Sequence, residues 1–128
     1  MLTFEFVRLG APCSVQIKNK DRMDNYKRDV RRAAVACWPG NSSPVTVPVG
    51  VIITYFYTQD ILDVDNIIKP VLDQLKMLVY ADDRQVTSVT CRKINIAGPE
   101  AVIANASLVL FSGLRSRSDF LHVLVEWE

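Results

Sequence analysis

Asp63-Val-Asp-Asn-Ile-Ile-Lys-Pro-Val-Leu-Asp-Gln-Leu-Lys-Met-Leu-Val-Tyr-Ala-Asp-Asp83 is the stretch around which the chain is ordered. Its apolar positions Ile68, Val71, Leu72, Leu75, Leu78 and Val79 recur at three- and four-residue spacing, the mark of a helix that buries one stripe. Pro70 conflicts with a regular helix from Asp65, because it lacks an N–H and crowds the carbonyl of Asn66. A helix starting near Lys69, with Pro70 in its first turn, avoids the conflict. Asp63 to Asn66 are therefore expected in a turn or a distorted first turn, and Ala81 to Arg84 should break the helix.

On the amino-terminal side, Val45 to Tyr57 is rich in β-branched and aromatic residues and predicts a strand. Val51-Ile-Ile-Thr-Tyr-Phe-Tyr57 is apolar on both faces, as in a central strand, whereas Pro48 and Gly50 make the early part an edge, a bulge or a loop. On the carboxy-terminal side, Gln85 to Ala97 predicts a strand whose alternation changes phase once, which suggests a bulge. Asp63 and Asp65 thus follow one strand and Asp83 precedes the next, so pairing of these strands is expected to bring the carboxylates together.

Thr3 to Leu9 alternates as a first strand, and Asp21 to Trp38 carries Met23, Tyr26, Val30, Ala33, Ala34 and Cys37 at helical spacing. Residues 100–114 are ambiguous and lean to helix. Phe120 to Glu128 alternates as a last strand, with His122 expected at the surface or facing a partner. The order β, α, β, α, β, α, β predicts an α+β fold: one small domain over 1–128, with a mixed sheet of about four strands packed with two to three helices.

At 128 residues, 49% of them hydrophobic, the chain suits one globular core. No segment has the roughly 20 apolar residues of a membrane span, and the amino terminus lacks the order of a signal peptide, so a cytoplasmic protein is expected. Cys13, Cys37 and Cys91 form no Cys-x-x-Cys pair and are expected to be buried free thiols. The net charge of +1 conceals two regions. Residues 18–32 hold seven bases (Lys18, Lys20, Arg22, Lys27, Arg28, Arg31, Arg32) against three acids, and residues 59–83 hold six acids against Lys69 and Lys76.

Asp63, Asp65 and Asp83 have the oxygen chemistry that Mg²⁺ prefers. The plainer alternative is that they cap helices and form turns, as Asp often does. Lys69, one turn after Asp65 and one turn before Asp73, either joins an ion-pair ladder worth about 0.3–0.5 kcal/mol per pair or steadies charge on a phosphate.

The pattern Asp63-x-Asp65-Asn66-x-x-Lys69-Pro70-x-x-Asp73-x-Leu75, followed by Asp82-Asp83-x-x-Val86, resembles the signature of the RusA family of Holliday-junction resolvases. These are small homodimeric endodeoxyribonucleases often carried by prophages. The resemblance implies that Asp63, Asp65 and Asp83 bind Mg²⁺ and that Lys69 assists them in catalysis. It further implies hydrolysis of phosphodiesters in a four-way DNA junction by a homodimer. Lys18, Lys20, Arg22, Lys27, Arg28 and Arg31 would then contact the DNA backbone. The segment Tyr57 to Leu62 lacks the arginines that the family often carries there. That departure, with the modest net charge, leaves an alternative: a catalytically inactive RusA-like DNA-binding or assembly module.

Overall fold

The computed structural model describes residues 1–14, 18–59, 62–97 and 106–128. Four strands and three helices follow one another as β1 (Leu2–Leu9), α1 (Lys20–Cys37), β2 (Val49–Tyr57), α2 (Asp65–Leu75), β3 (Val86–Asn95), α3 (Leu108–Arg115) and β4 (Phe120–Trp127). The sheet order is β1-β4-β2-β3, with β2 and β3 parallel and the other pairs antiparallel. This is the expected α+β domain with a mixed four-stranded sheet.

Helices α1 and α2 cover one face. Tyr26, Val30 and Ala34 of α1 and Ile67, Val71 and Leu75 of α2 pack against Phe4, Phe6, Val51, Ile53, Tyr55, Leu121, Val123 and Val125 in one buried cluster. On the opposite face the rings of Phe56 and Phe120 stack with centroids 4.6 Å apart. Helix α3 lies close on this pair, since a Cβ built at Gly113 would meet the Phe120 ring at 2.5 Å. β2 is therefore covered on both faces near its end, as its apolar run predicts. The expected phase change is a bulge at the start of β3, where Val49 pairs with Val86 but Gly50 with Ser88. Val45 forms only an isolated bridge with Tyr80, so the strand begins after Pro48.

Helix α2 departs from expectation at both ends. It opens at Asp65 and runs through Pro70, which is buried with the apolar stripe. Its start is tightened, because the Asn66 and Ile67 amides donate to the Asp63 and Val64 carbonyls three residues back. The buried stripe is Ile67, Val71 and Leu75, with Ile68 only partly covered. Burial of that stripe outweighs the hydrogen bond lost at Pro70. The helix also stops early, at Leu75, where Met77 takes a left-handed φ of 68° and the Arg31 guanidinium donates to the Gln74 and Lys76 carbonyls at 2.8 and 3.0 Å. Of the three free cysteines, Cys13 and Cys91 are half-buried. Cys37 is exposed, because the last turn of α1 turns it away from the sheet.

His122 corrects a further expectation: it is buried, with Nε2 3.4 Å from Glu5 Oε2. Its neighbours in register are Val7 and Thr54, and Arg92 reaches Thr54 Oγ1 from β3. Burial holds its pKa below the usual histidine value; Glu5 opposes that shift and Arg92 adds to it. The unfolded chain then binds the proton more readily than the folded one, so stability rises with pH across that window. We expect the melting temperature to fall as pH drops below about 6.5, the unperturbed histidine value. The slope should flatten in His122→Gln; an unchanged slope would assign the acid lability elsewhere.

The Tyr26 hydroxyl is buried with no hydrogen-bond partner among the described residues. A lone buried hydroxyl forfeits its hydration without compensation. Tyr26→Phe should therefore change stability by no more than about 1 kcal/mol, in the neutral or stabilising direction, when urea midpoints are compared. A loss of about 2 kcal/mol or more would reveal a partner for that hydroxyl, such as a buried water.

Candidate active site

The acidic turn is built from its backbone. The Leu62 carbonyl accepts from Lys93 Nζ at 2.8 Å, the Asp63 carbonyl from the Asn66 amide at 3.0 Å, and the Val64 carbonyl from the Ile67 amide at 3.1 Å. Val64 also faces the Cys91 thiol, with Sγ 3.7 Å from its carbonyl oxygen. Half-burial pushes the Cys91 thiol up to about 11, so it remains a protonated donor at neutral pH. Three successive carbonyls are thus committed. The Asp63 and Asp65 carboxylates are exposed and have no hydrogen-bond or ion-pair partner among the described residues. Asp65 also opens α2, at the end where the helix dipole favours negative charge.

Asp83 lies elsewhere. It opens a short 3-10 turn, Asp83–Gln85, at the start of β3, and its Oδ2 stands 3.5 Å from Lys76 Nζ. The turn is held by Asp82, whose Oδ1 accepts from the Arg84 amide, and by Gln85. The Gln85 side chain accepts from the Ala81 and Asp82 amides and donates to the Val45 and Val47 carbonyls. Asp82 is therefore a cap, and Asp83 points into solvent.

The pairing of β2 with β3 occurs as the sequence predicts, but its parallel direction separates the carboxylates. The end of β2 lies beside the end of β3, with Tyr57 opposite Asn95, whereas Asp83 precedes the start of β3. Val64 sits against Cys91, five residues along β3 from Val86, a span of about 17 Å at strand rise. Eleven residues of α2 separate the two ends by a similar amount, about 16 Å. Among the described residues no three His, Cys, Asp or Glu side chains gather as a metal site. Within one chain Asp63 and Asp65 stand two residues apart on one turn, and Asp83 lies beyond the other end of α2.

Lys69 is exposed, 3.5 Å from Asp73, and lines a groove between α1 and α2 with Met23, Lys27, Pro70 and Asp73. This places Lys27, one of the helix bases, beside Lys69. A second concavity of about 290 Å³ is lined by Arg8, Arg22, Asn25, Tyr26 and Asp29, among others. Arg8, which sequence pattern did not single out, lies 4.8 Å over the Tyr26 ring and 3.2 Å from Asp29. Lys18 and Lys20 are exposed at the α1 entrance, and Arg22 has no ion-pair partner among the described residues. Arg28 bonds the Asn25 side chain at 2.6 Å. Arg31 is engaged by the α2 carbonyls, which assigns it a capping role.

Sequence reasoning also passed over Lys93 and Cys91. Their signal was their i, i+2 spacing on one strand face, but nothing in the sequence showed that this face meets the acidic turn. The model of the family described as Endodeoxyribonuclease RusA matches residues 5–104. The match ends before α3 and β4, although β4 lies between β1 and β2 in the sheet. No curated protein matches the chain significantly.

Proposed function

Because the chain belongs to the RusA endodeoxyribonuclease family, whose model covers residues 5–104, we propose that it is a Mg²⁺-dependent endonuclease that cuts four-way DNA junctions as a homodimer. The observation that carries this reading is the acidic turn. Asp63 and Asp65 present two uncommitted carboxylates on a backbone whose carbonyls are all bonded, and both fall inside the matched span. Two carboxylates suit an ion that keeps several of its waters and takes further ligands from a phosphate. When bound there, the ion would polarise the phosphate and acidify a bound water.

The protein's own groups supply the rest of the reading. Lys69, one turn along α2 from Asp65, would steady charge on the scissile phosphate, with Lys27 beside it in the groove. Lys18, Lys20, Arg22 and Arg28 would track the DNA backbone. Since α2 separates Asp83 from Asp63 and Asp65 in one chain, we propose that Asp83 joins the pair from a second copy. A dimer would then be required for a complete site and would present two sites to opposed strands. Lys76, now 3.5 Å from Asp83, would have to release it.

The test is cleavage of a synthetic four-way junction with Mg²⁺, set against linear duplex of the same sequence. The reading expects paired incisions on the junction, little cutting of duplex and none after chelation of the metal. Junction binding without incision at any Mg²⁺ or Mn²⁺ concentration would instead favour the inactive DNA-binding module, to which the near-neutral charge also points.

A further inference from the structure

Lys93 and Cys91 stand two residues apart on the helix-facing side of β3, opposite Tyr55 and Ile53 of β2. They meet carbonyls two residues apart on the acidic turn: Lys93 Nζ to Leu62 at 2.8 Å and Cys91 Sγ to Val64 at 3.7 Å. The strand period and the turn are matched, since alternate residues of a strand share a face. Asp63 lies between the two gripped residues and Asp65 directly after them. The remaining turn carbonyl, that of Asp63, is closed by the Asn66 amide. Leu62 is itself buried in the core, which anchors the near end of the turn.

Two adjacent carboxylates on a turn repel one another, and repulsion would splay a free loop. Lys93 brings a half-buried ammonium to the backbone directly before the first of them. It lies in a place where screening is weaker than in bulk water. We propose that Lys93 and Cys91 are positioning residues for the acidic turn: they clamp the Leu62 and Val64 carbonyls to β3, and the clamp fixes the backbone from which Asp63 and Asp65 would reach one cation. This rests on the metal reading above for its cation half, whereas the clamp stands on geometry alone.

The groups that orient a metal's ligands typically cost about ten- to a hundredfold in metal affinity when removed. The experiment is Mn²⁺ titration of the protein by calorimetry, with amide hydrogen exchange at Asn66 and Ile67, for wild type, Lys93→Met, Lys93→Arg and Cys91→Ala. Lys93→Met keeps the length of the stem without the charge. It should weaken Mn²⁺ binding about tenfold or more and speed exchange at both amides, with little change in melting temperature. In the nuclease assay the same variant should need more Mg²⁺ while keeping its rate at saturating metal. Lys93→Arg should restore most of the affinity, and Cys91→Ala should shift both readouts in the same direction by less.

Unchanged Mn²⁺ affinity and unchanged exchange in Lys93→Met would overturn the proposal, even where wild type binds Mn²⁺ and Asp65→Asn does not. A wild-type dimer that takes up no Mn²⁺ would overturn the metal reading and the cation half together. Exchange at Asn66 and Ile67 would then still decide the clamp.

Discussion

Asp65→Asn should abolish Mg²⁺-dependent cleavage, lowering the rate by about two orders of magnitude or more, while binding to a four-way junction survives. The magnitude follows because loss of a ligand exceeds the roughly ten- to hundredfold cost of losing a group that merely orients one. Asparagine preserves the shape and the position at the entrance of α2 but removes the charge that would hold the ion. The loss of the favourable interaction with the helix amides costs only about 0.3–1 kcal/mol, so the fold should remain. Gel-shift and incision assays on one junction separate the two effects, and a variant that still cuts at the wild-type rate would end the metal reading. Mixing then tests where the third carboxylate comes from. If Asp63 and Asp65 of one protomer act with Asp83 of its partner, a mixed dimer of Asp65→Asn and Asp83→Asn retains one intact site. Such a mixture should nick one strand although neither parent cuts. If each site is built within one chain, every site in the mixture is damaged and no nicking is expected.

The largest effect on stability is expected at Asp119, at the start of β4 beside the end of β2. Its carboxylate accepts from the Tyr55 hydroxyl at 2.9 Å and from the Thr58 amide and hydroxyl at 3.1 and 2.8 Å. Its carbonyl accepts from the Gly10 amide at 2.6 Å, which ties the end of β1 to the start of β4. Gly10 has a φ of 98°, a conformation that disfavours other residues there. Hydrogen bonds to charged groups contribute about 1.5–3 kcal/mol each, though not additively. Tyr55 is fully buried, so its hydroxyl would be left without that partner. Asp119→Ala should therefore lose about 3 kcal/mol in denaturant titration, and Asp119→Asn, which keeps an acceptor, about half of that. A loss below about 1 kcal/mol would show that the three contacts are replaced by water.

Much of this architecture was legible from local pattern. The apolar runs predicted β2 and β4, the spacing of Tyr26, Val30 and Ala34 predicted α1, and the ambiguous 100–114 region does contain a helix from Leu108. The part of that expectation over residues 98–105 lies outside the described residues. Helix α2 was found but misplaced at both ends, because its limits depend on contacts from other elements. Burial of Ile67 carries the helix back across Pro70, and Arg31 of α1 meets the carbonyls where it stops. His122 was misjudged because strand alternation does not reveal whether the second face of a sheet is open or covered.

The site divides along the same line. Asp63, Asp65 and Lys69 were identifiable as a chemical unit because their spacing is local: a turn and the first turns of one helix place them regardless of the remaining chain. The family itself is shown by a match that spans residues 5–104, within which that local pattern lies. The whereabouts of Asp83 did not follow from spacing, since strand pairing is compatible with either direction and the choice of parallel pairing is made by the path of α2 across the sheet. The same holds for Lys93 and Cys91, whose meeting with the Leu62 and Val64 carbonyls joins positions about thirty residues apart. Residue type and local spacing mark out the candidate groups, whereas strand direction and packing settle which of them meet.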